Sequence, residues 1–393
     1  MPKGVISHKQ FSAILFIYLF GASVLFIPEA MWAGKDSWLS TLIGSLLGLL
    51  VLAGWLKLVR LHPGKSPIQV IIKVLGPVFG YPIGFYLVLI FFVIGALIVQ
   101  DLIILVETAV LRNTPPSVIR GSFILVTVYA CYKGVESIGR LCELMVLPVT
   151  LLVLVVPILD AQHFDLSVLQ PVLHIHWGGV LTGTLNALVF PFAETLMPMM
   201  LYPYTTPDAK AERYYYLAYA GVAILLIKRT LIGLMIFSPA LVEHMTLHFY
   251  SVFRRVALGQ FFDRIEGLFL GLWLFGLLLK MTITLYITAL ALAQLTGVRR
   301  LQNLWLPLAG LTFVLSAIMF PDTMEFSWFS FKVLPFLALP GEALLPFLVL
   351  LAHIVRSRLS PGSVDQANQR GKEAAQDPAG IQDGAVHGKD NPP

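Results

Sequence analysis

Long apolar runs, separated by short polar connections, set the pattern of this chain. Ten runs are visible: Gln10–Trp32, Trp38–Val59, Tyr81–Leu111, Val118–Tyr132, Cys142–Leu159, Gly178–Tyr202, Tyr214–Phe237, Ile265–Leu295, Leu304–Phe320 and Val333–Val355. A helix needs about 20 apolar residues to cross a bilayer, whereas a membrane strand would show alternating segments of about 10. The runs are long and do not alternate, so the pattern predicts an all-α integral membrane protein with ten transmembrane helices. Between the second and third runs, Pro67–Leu75 carries Lys73 beside apolar residues and reads as a short amphipathic piece at the membrane surface. The third and eighth runs are longer than a span requires, which predicts tilt or extension past the bilayer.

Two runs are interrupted. The first contains Gly21-Ala22-Ser23 and, five residues on, Pro28; the sixth contains Phe190-Pro191-Phe192-Ala193-Glu194, with Pro198 following. Glycine weakens a helix through backbone entropy, and proline removes an amide donor and crowds the preceding turn. Each run is therefore expected to be two half-helices joined by irregular backbone. Lipid cannot hydrogen-bond such backbone, so the breaks must face protein or a cavity. Runs one and six are both broken and runs three and eight are both long, which predicts a five-plus-five inverted repeat with broken helices 1 and 6. Half one spans about 10–159 and half two about 178–355, within a membrane domain covering 1–356.

Composition agrees: 57% of the 393 residues are hydrophobic and 12% charged, against about 25% charged in soluble domains. The formal net charge of +5 comes from loop lysines and arginines and is no nucleic-acid footprint. Lys3, Lys9, Lys57, Arg60, Lys65, Lys133, Arg140, Arg299, Arg300 and Arg356 fall on one side, and few cations fall on the other. That bias places both termini in the cytoplasm. Residues 357–393 are rich in Gly, Gln, Asp and Pro and read as a disordered cytoplasmic tail.

Catalytic and metal chemistry find little support. No HExxH helix, GxSxG elbow or phosphate-cradling glycine loop is present, so no enzyme is expected. Cys131 and Cys142 suit packing; His244 and His248 have helical spacing but lack a third zinc ligand, so neither a metal nor a cofactor is expected.

Several ordered motifs resemble the endospore germination permease family, the B subunits of GerA-type germinant receptors, within the amino acid-polyamine-organocation superfamily. They are Gly21-Ala22-Ser23-Val24-Leu25-Phe26-Ile27-Pro28, Leu111-Arg112-Asn113-Thr114-Pro115, Tyr132-Lys133-Gly134-Val135-Glu136-Ser137, Phe190-Pro191-Phe192-Ala193-Glu194, and Asp263-Arg264-Ile265-Glu266 with Trp273 and Lys280. Ala22 and Ser23 stand where the family pattern has a Gly-Thr pair. The resemblance implies a LeuT-like fold that binds a small nutrient, often an amino acid. It also implies A and C subunits as partners in the spore inner membrane.

Candidate site residues follow from the breaks. Gly21, Ala22, Ser23 and Leu25 would offer backbone amides to a carboxylate. Phe190, Phe192, Ala193 and Glu194 would offer carbonyls, aromatic walls and an acid for an ammonium group; the alternative for Glu194 is a structural partner of Lys280. A buried acid at mid-membrane costs about 3 kcal/mol, which argues against chance retention. Lys280 shares a helical face with Trp273, Gly276 and Thr284, and Lys280 and Thr284 join the candidate set. The resemblance suggests that Lys280 stands where superfamily members place sodium or a titrating lysine. Asp101 is central enough to line the pathway, Glu107 suits a vestibule beside Arg112, and Arg264 with Glu266 would form a gate or a structural pair. Lys228 and Arg229 would snorkel or pair with Glu243. The expected function is nutrient sensing with signalling to partner subunits; the alternative is a proton-coupled amino-acid transporter.

Overall fold

The computed structural model describes residues 6–23, 26–111, 113–159, 161–170, 175–206, 211–242, 248–255, 265–320 and 322–359. These are helical, apart from short connections and one isolated bridge between Ile6 and Thr205. In chain order the helices are α1 His8–Phe20, α2 Ala30–Ala33, α3 Ser37–Leu61, α4 Pro67–Ala109, α5 Pro116–Tyr132, α6 Gly134–Leu159, α7 Trp177–Ala187 and α8 Leu196–Met199. They continue as α9 Glu212–Phe237, α10 Pro239–Val242, α11 His248–Arg255, α12 Ile265–Thr296, α13 Gln302–Met319, α14 Thr323–Trp328, α15 Leu334–Leu339 and α16 Leu345–Leu359. Among the described residues, eight helical stretches are long and apolar enough to cross a membrane, and α5 is a shorter apolar helix of 17 residues. The chain is a multi-pass membrane protein.

Local chemistry explains where the elements start. Ser7 and Ser66 each cap a helix with a reciprocal side-chain exchange, to Gln10 and Gln69 respectively. Pro67 follows its cap at a position where the missing amide costs nothing. Within α4, Gly76 adopts φ 78, a left-handed conformation that glycine alone takes without penalty. It divides the amphipathic start from the membrane body at the place where the sequence pattern changes.

Burial sorts the helices into centre and rim. In α4, 89% of the most apolar window is buried, against 28% in α6 and in α13. A helix apolar all round is stable only inside the bundle, and α4 carries an almost unbroken buried stretch from Leu87 to Val106. It packs on α12, the other long helix, and on α13 and α16. The helix α12 packs on α5, α6 and α1, while α1 packs on α6 and α9, and α3 on α7, α9 and α16. The pairs α6 with α9 and α5 with α13 complete the bundle.

Both interruptions are present. Helix α1 stops at Phe20, residues 21–23 form a turn, residues 26–29 are not helical, and the next helix starts at Ala30. After α7, Leu188–Phe192 forms a wide π-type turn in which Phe190 is extended (φ −126, ψ 107) and the Phe190–Pro191 peptide is cis. A turn at 193–195 then leads into α8. Several boundaries differ from the sequence reading: α2 runs through a 3-10 turn, Gly34–Asp36, straight into α3, α6 begins at Gly134 rather than Cys142, and α16 extends to Leu359. The predicted tail beyond Leu359 lies outside the described residues.

Candidate functional site

The first break is held open by an arginine. Arg229 projects from α9, and its guanidinium donates to the carbonyls of Ser23 and Phe26 and, at 2.9 Å, to a carboxylate oxygen of Glu29. Both carbonyls lie past the end of α1, in backbone that no helical ladder satisfies, and the buried guanidinium supplies the donors they need. Thr41 also donates to the same Glu29 oxygen at 3.0 Å, and Thr41 and Thr230 lie 3.3 Å apart. Arg229 and Glu29 are each 2% exposed. The Arg229–Glu243 pairing expected from sequence is replaced by Arg229–Glu29; Glu243 lies outside the described residues. Lys228 does not snorkel. Its ammonium donates to the carbonyls of Val153 and Leu154 on α6, where Pro157 has no amide to offer Val153.

Gly21 packs between two stretches of backbone: a side chain there would meet the Ile17 carbonyl at 2.8 Å and the Gly276 carbonyl of α12 at 3.3 Å, so a larger residue would force the backbone to shift. Ser23 turns its hydroxyl back to the Leu19 carbonyl at 2.8 Å, and Ala22 is fully buried. Leu25 lies outside the described residues.

The second break carries the charge. Glu194, just past the π-type turn, accepts a hydrogen bond from the Lys280 ammonium at 2.6 Å, and both side chains are at most 3% exposed. The ammonium also lies over the rings of Phe190 (4.9 Å) and Tyr18 (5.0 Å). Such faces attract a desolvated cation by about 2 kcal/mol. The Tyr18 hydroxyl lies 3.2 Å from that of Thr284, which itself donates to the Lys280 carbonyl. So α1, the second break and α12 converge on one ammonium, and Lys280, Glu194, Phe190 and Thr284 are brought together as candidates. Tyr18 was missed by sequence reasoning; its one signal is its place a turn before Gly21.

Two cavities flank this cluster. One, with about 440 Å³ of atom-free space including its mouth, is lined by Phe26 and Pro28 from the first break, Asp101 from α4, and Asn186, Val189 and Phe190 from the second, and is closed by α14 and α15. The other, about 350 Å³, is lined by Ile17, Gly21, Trp273 and Gly276 together with α6. The predicted residues are thus divided: Asp101 and Phe190 face the first cavity and Gly21 the second. Lys280 bridges them, a turn beyond Gly276 with its ammonium over Phe190. Phe192 and Ala193 line neither. Phe192 packs on Gly48 of α3 and on the Tyr219 ring, 5.8 Å away, because the extended Phe190 backbone turns the two phenylalanines in different directions. Arg264 and the Glu266 side chain lie outside the described residues, as do Arg112, His174, His244 and the His248 side chain. Among the described residues no group of three or more His, Cys, Asp or Glu is arranged to hold a metal.

Glu342 also escaped the sequence reading. It lies in another π-type stretch, Pro340–Leu344, is 0% exposed, and neither carboxylate oxygen has a hydrogen-bond partner. A single acid inside the last apolar run was the available signal.

Comparison with known proteins supplies the context for this geometry. The family model described as "Spore germination protein" matches residues 5–325. Spore germination protein KB of Bacillus subtilis is 24% identical over 374 residues, covering 94% of this chain and 100% of the relative. Spore germination protein YndE of the same organism is 24% identical over 304 residues, covering 75% and 82%. Spore germination protein XB of Bacillus anthracis is 21% identical over 338 residues, covering 84% and 92%. With a broken-helix bundle on the page and a match that runs from before α1 into α14, the chain belongs to the spore germination permease family.

Proposed function

We propose that this chain is the nutrient-sensing, permease-like subunit of a spore germination receptor. It binds a small amine-bearing nutrient, such as an amino acid, in the cavity between the two breaks. The observation that carries this reading is that Phe190 and Asp101 line that cavity together, with the Lys280 ammonium, paired to Glu194, over the Phe190 ring. Apolar walls with a few convergent polar groups are the make-up of a small-molecule site. Asp101 would take the ammonium group, Asn186 a hydrogen-bonding group, and the phenylalanines the apolar part. The chain is not an enzyme on this reading.

A ten-span, five-plus-five repeat of LeuT type suits the packing. Counting α1–α2, α3, α4, α5 and α6 as one half, and α7–α8, α9, α12, α13 and α14–α16 as the other, exchanging halves maps the neighbours onto each other. The pair α1 with α9 becomes α7 with α3, and α12 with α5 becomes α4 with α13. Likewise α12 with α6 becomes α4 with α16, while α4 with α12, α3 with α9 and α5 with α13 map onto themselves. That symmetry supports a mechanism in which ligand binding favours one arrangement of the halves over the other, by no more than its differential affinity for the two. Signalling to A and C subunits in the spore inner membrane, with both termini cytoplasmic, completes the proposal.

A proton-coupled amino-acid transporter is the second reading, favoured by the buried Lys280–Glu194 pair. Reconstitution separates the two. A nutrient that raises the melting temperature of the purified chain without concentrative uptake into liposomes supports the receptor, whereas uptake without partner subunits supports the transporter. A nutrient panel that leaves melting unchanged while D101N and F190A behave as wild type in germination would sink the assigned cavity.

A further inference from the structure

Glu342 is the acid that the proposed function leaves unused. Its π-type stretch is pressed against α4: a side chain on Gly341 would meet those of Tyr86 and Leu87 at 2.9 Å. The Tyr86 hydroxyl donates to the Leu337 carbonyl, one turn before the stretch. π-type turns inside α-helices recur at functional sites because the widened turn re-aims side chains. Here the carboxyl is directed into protein, fully buried, with both oxygens unpartnered.

The surroundings are charged. Glu342 lies in Coulombic range of Glu194 and Lys280, and Tyr18 lies in range of both Glu194 and Glu342. Asp101 is in range of Lys280 and Glu194 as well. Of the elements packed on the stretch, α4 contributes Tyr86, and the second break leads into Glu194. The charged residues of α3, Lys57 and Arg60, are exposed at its far end, as are Arg356 and Arg358 of α16, where His353 is partly buried; α15 contributes no charge. Three carboxyl groups therefore share Lys280, whose ammonium is already bonded to Glu194 at 2.6 Å. Burying an unpaired carboxylate is among the largest electrostatic costs in a protein, and a positive charge on the group removes it. A metal ion would need a cage of oxygens, and no such group of side chains exists among the described residues.

We propose that Glu342 is a membrane-embedded proton-binding site whose occupancy is linked to the Lys280–Glu194 pair. The step is simple: a carboxylate oxygen of Glu342 and a proton from solvent form an O–H bond, and the reverse releases the proton. The proposal stands independently of the nutrient's identity.

Infrared difference spectroscopy on the purified full-length chain in nanodiscs tests it, with pH stepped from acidic to alkaline. The expected result is a carbonyl stretch of a protonated, dry carboxyl group that titrates away at alkaline pH. It shifts when the protein carries glutamate labelled with ¹³C at the side-chain carboxyl, persists in D101N and E194Q, disappears in E342Q, and titrates at a different pH in E194Q than in wild type. The labelled wild-type protein needs no substitution, so the test survives a poorly folded E342Q. Absence of the band, failure of the label to shift it, or its loss in E194Q or D101N instead would overturn the proposal. An unchanged titration in E194Q would overturn the link to the ion pair.

Discussion

The Lys280 ammonium and the Glu194 carboxylate meet at 2.6 Å with neither side chain more than 3% exposed, which joins α12 to the second helix break. Removing one partner of a buried pair strands the other charge, at a cost of about 3–5 kcal/mol. K280M and E194L alone should each lower thermal stability by that order, and the double variant K280M/E194L should recover most of it. Spores carrying the double variant should still fail to respond to nutrient, because the cation over Phe190 is gone. Melting curves in detergent and germination rates together check this; a responsive double variant would make the pair purely structural.

The Arg229–Glu29 pair is a brace rather than a ligand site. Arg229 caps Ser23 and Phe26 and reaches Glu29 at once, a fork that lysine cannot reproduce. R229K should therefore destabilise the protein nearly as much as R229A, on the order of 3–5 kcal/mol. E29Q should cost less, since its amide oxygen still accepts from Arg229 and Thr41. Urea or thermal midpoints for the three variants measure the order, and R229K melting as wild type would show that the fork is unimportant.

How far the sequence carried the fold can be judged at individual residues. The breaks were legible because Gly21, Pro28 and Pro191 are local signals inside apolar runs, and the left-handed Gly76 falls where the pattern changes. The partners of Arg229 were not legible: Glu29 lies 200 positions away, and only packing of α9 against the first break brings them together. Phe190 and Phe192 were inseparable for a related reason. Which of two rings faces a cavity depends on the extended Phe190 backbone, and helical periodicity cannot supply that.

That distinction gives a paired test. Phe190 lines the cavity under the Lys280 ammonium, so F190A should shift nutrient sensitivity by tenfold or so, which is about 1.4 kcal/mol of binding. Phe192, 0% exposed and packed on Gly48 and Tyr219, should instead cost about 3–5 kcal/mol of stability when truncated. Dose–response germination curves and melting curves on both variants separate the two roles, and an F192A variant with normal stability and lost sensitivity would reverse them.

At the far end of α3, His62 faces His353 edge to face at 5.0 Å, and both of its ring nitrogens are buried without partners. Burial first, and the positive charge of Lys73 second, lower its pKa from 6.5 to about 4. The unfolded chain thus binds this proton before the folded one does. The neutral ring contributes stability that is fully present above pH 6.5 and is lost as pH falls from 6.5 toward 4; below 4 both states are protonated and the loss stops. H62Q, which cannot titrate, should flatten the part of the stability profile between these two pH values. The check is the difference in melting temperature between wild type and H62Q, followed across that window: a difference independent of pH would mean that His62 keeps its ordinary proton affinity in the fold.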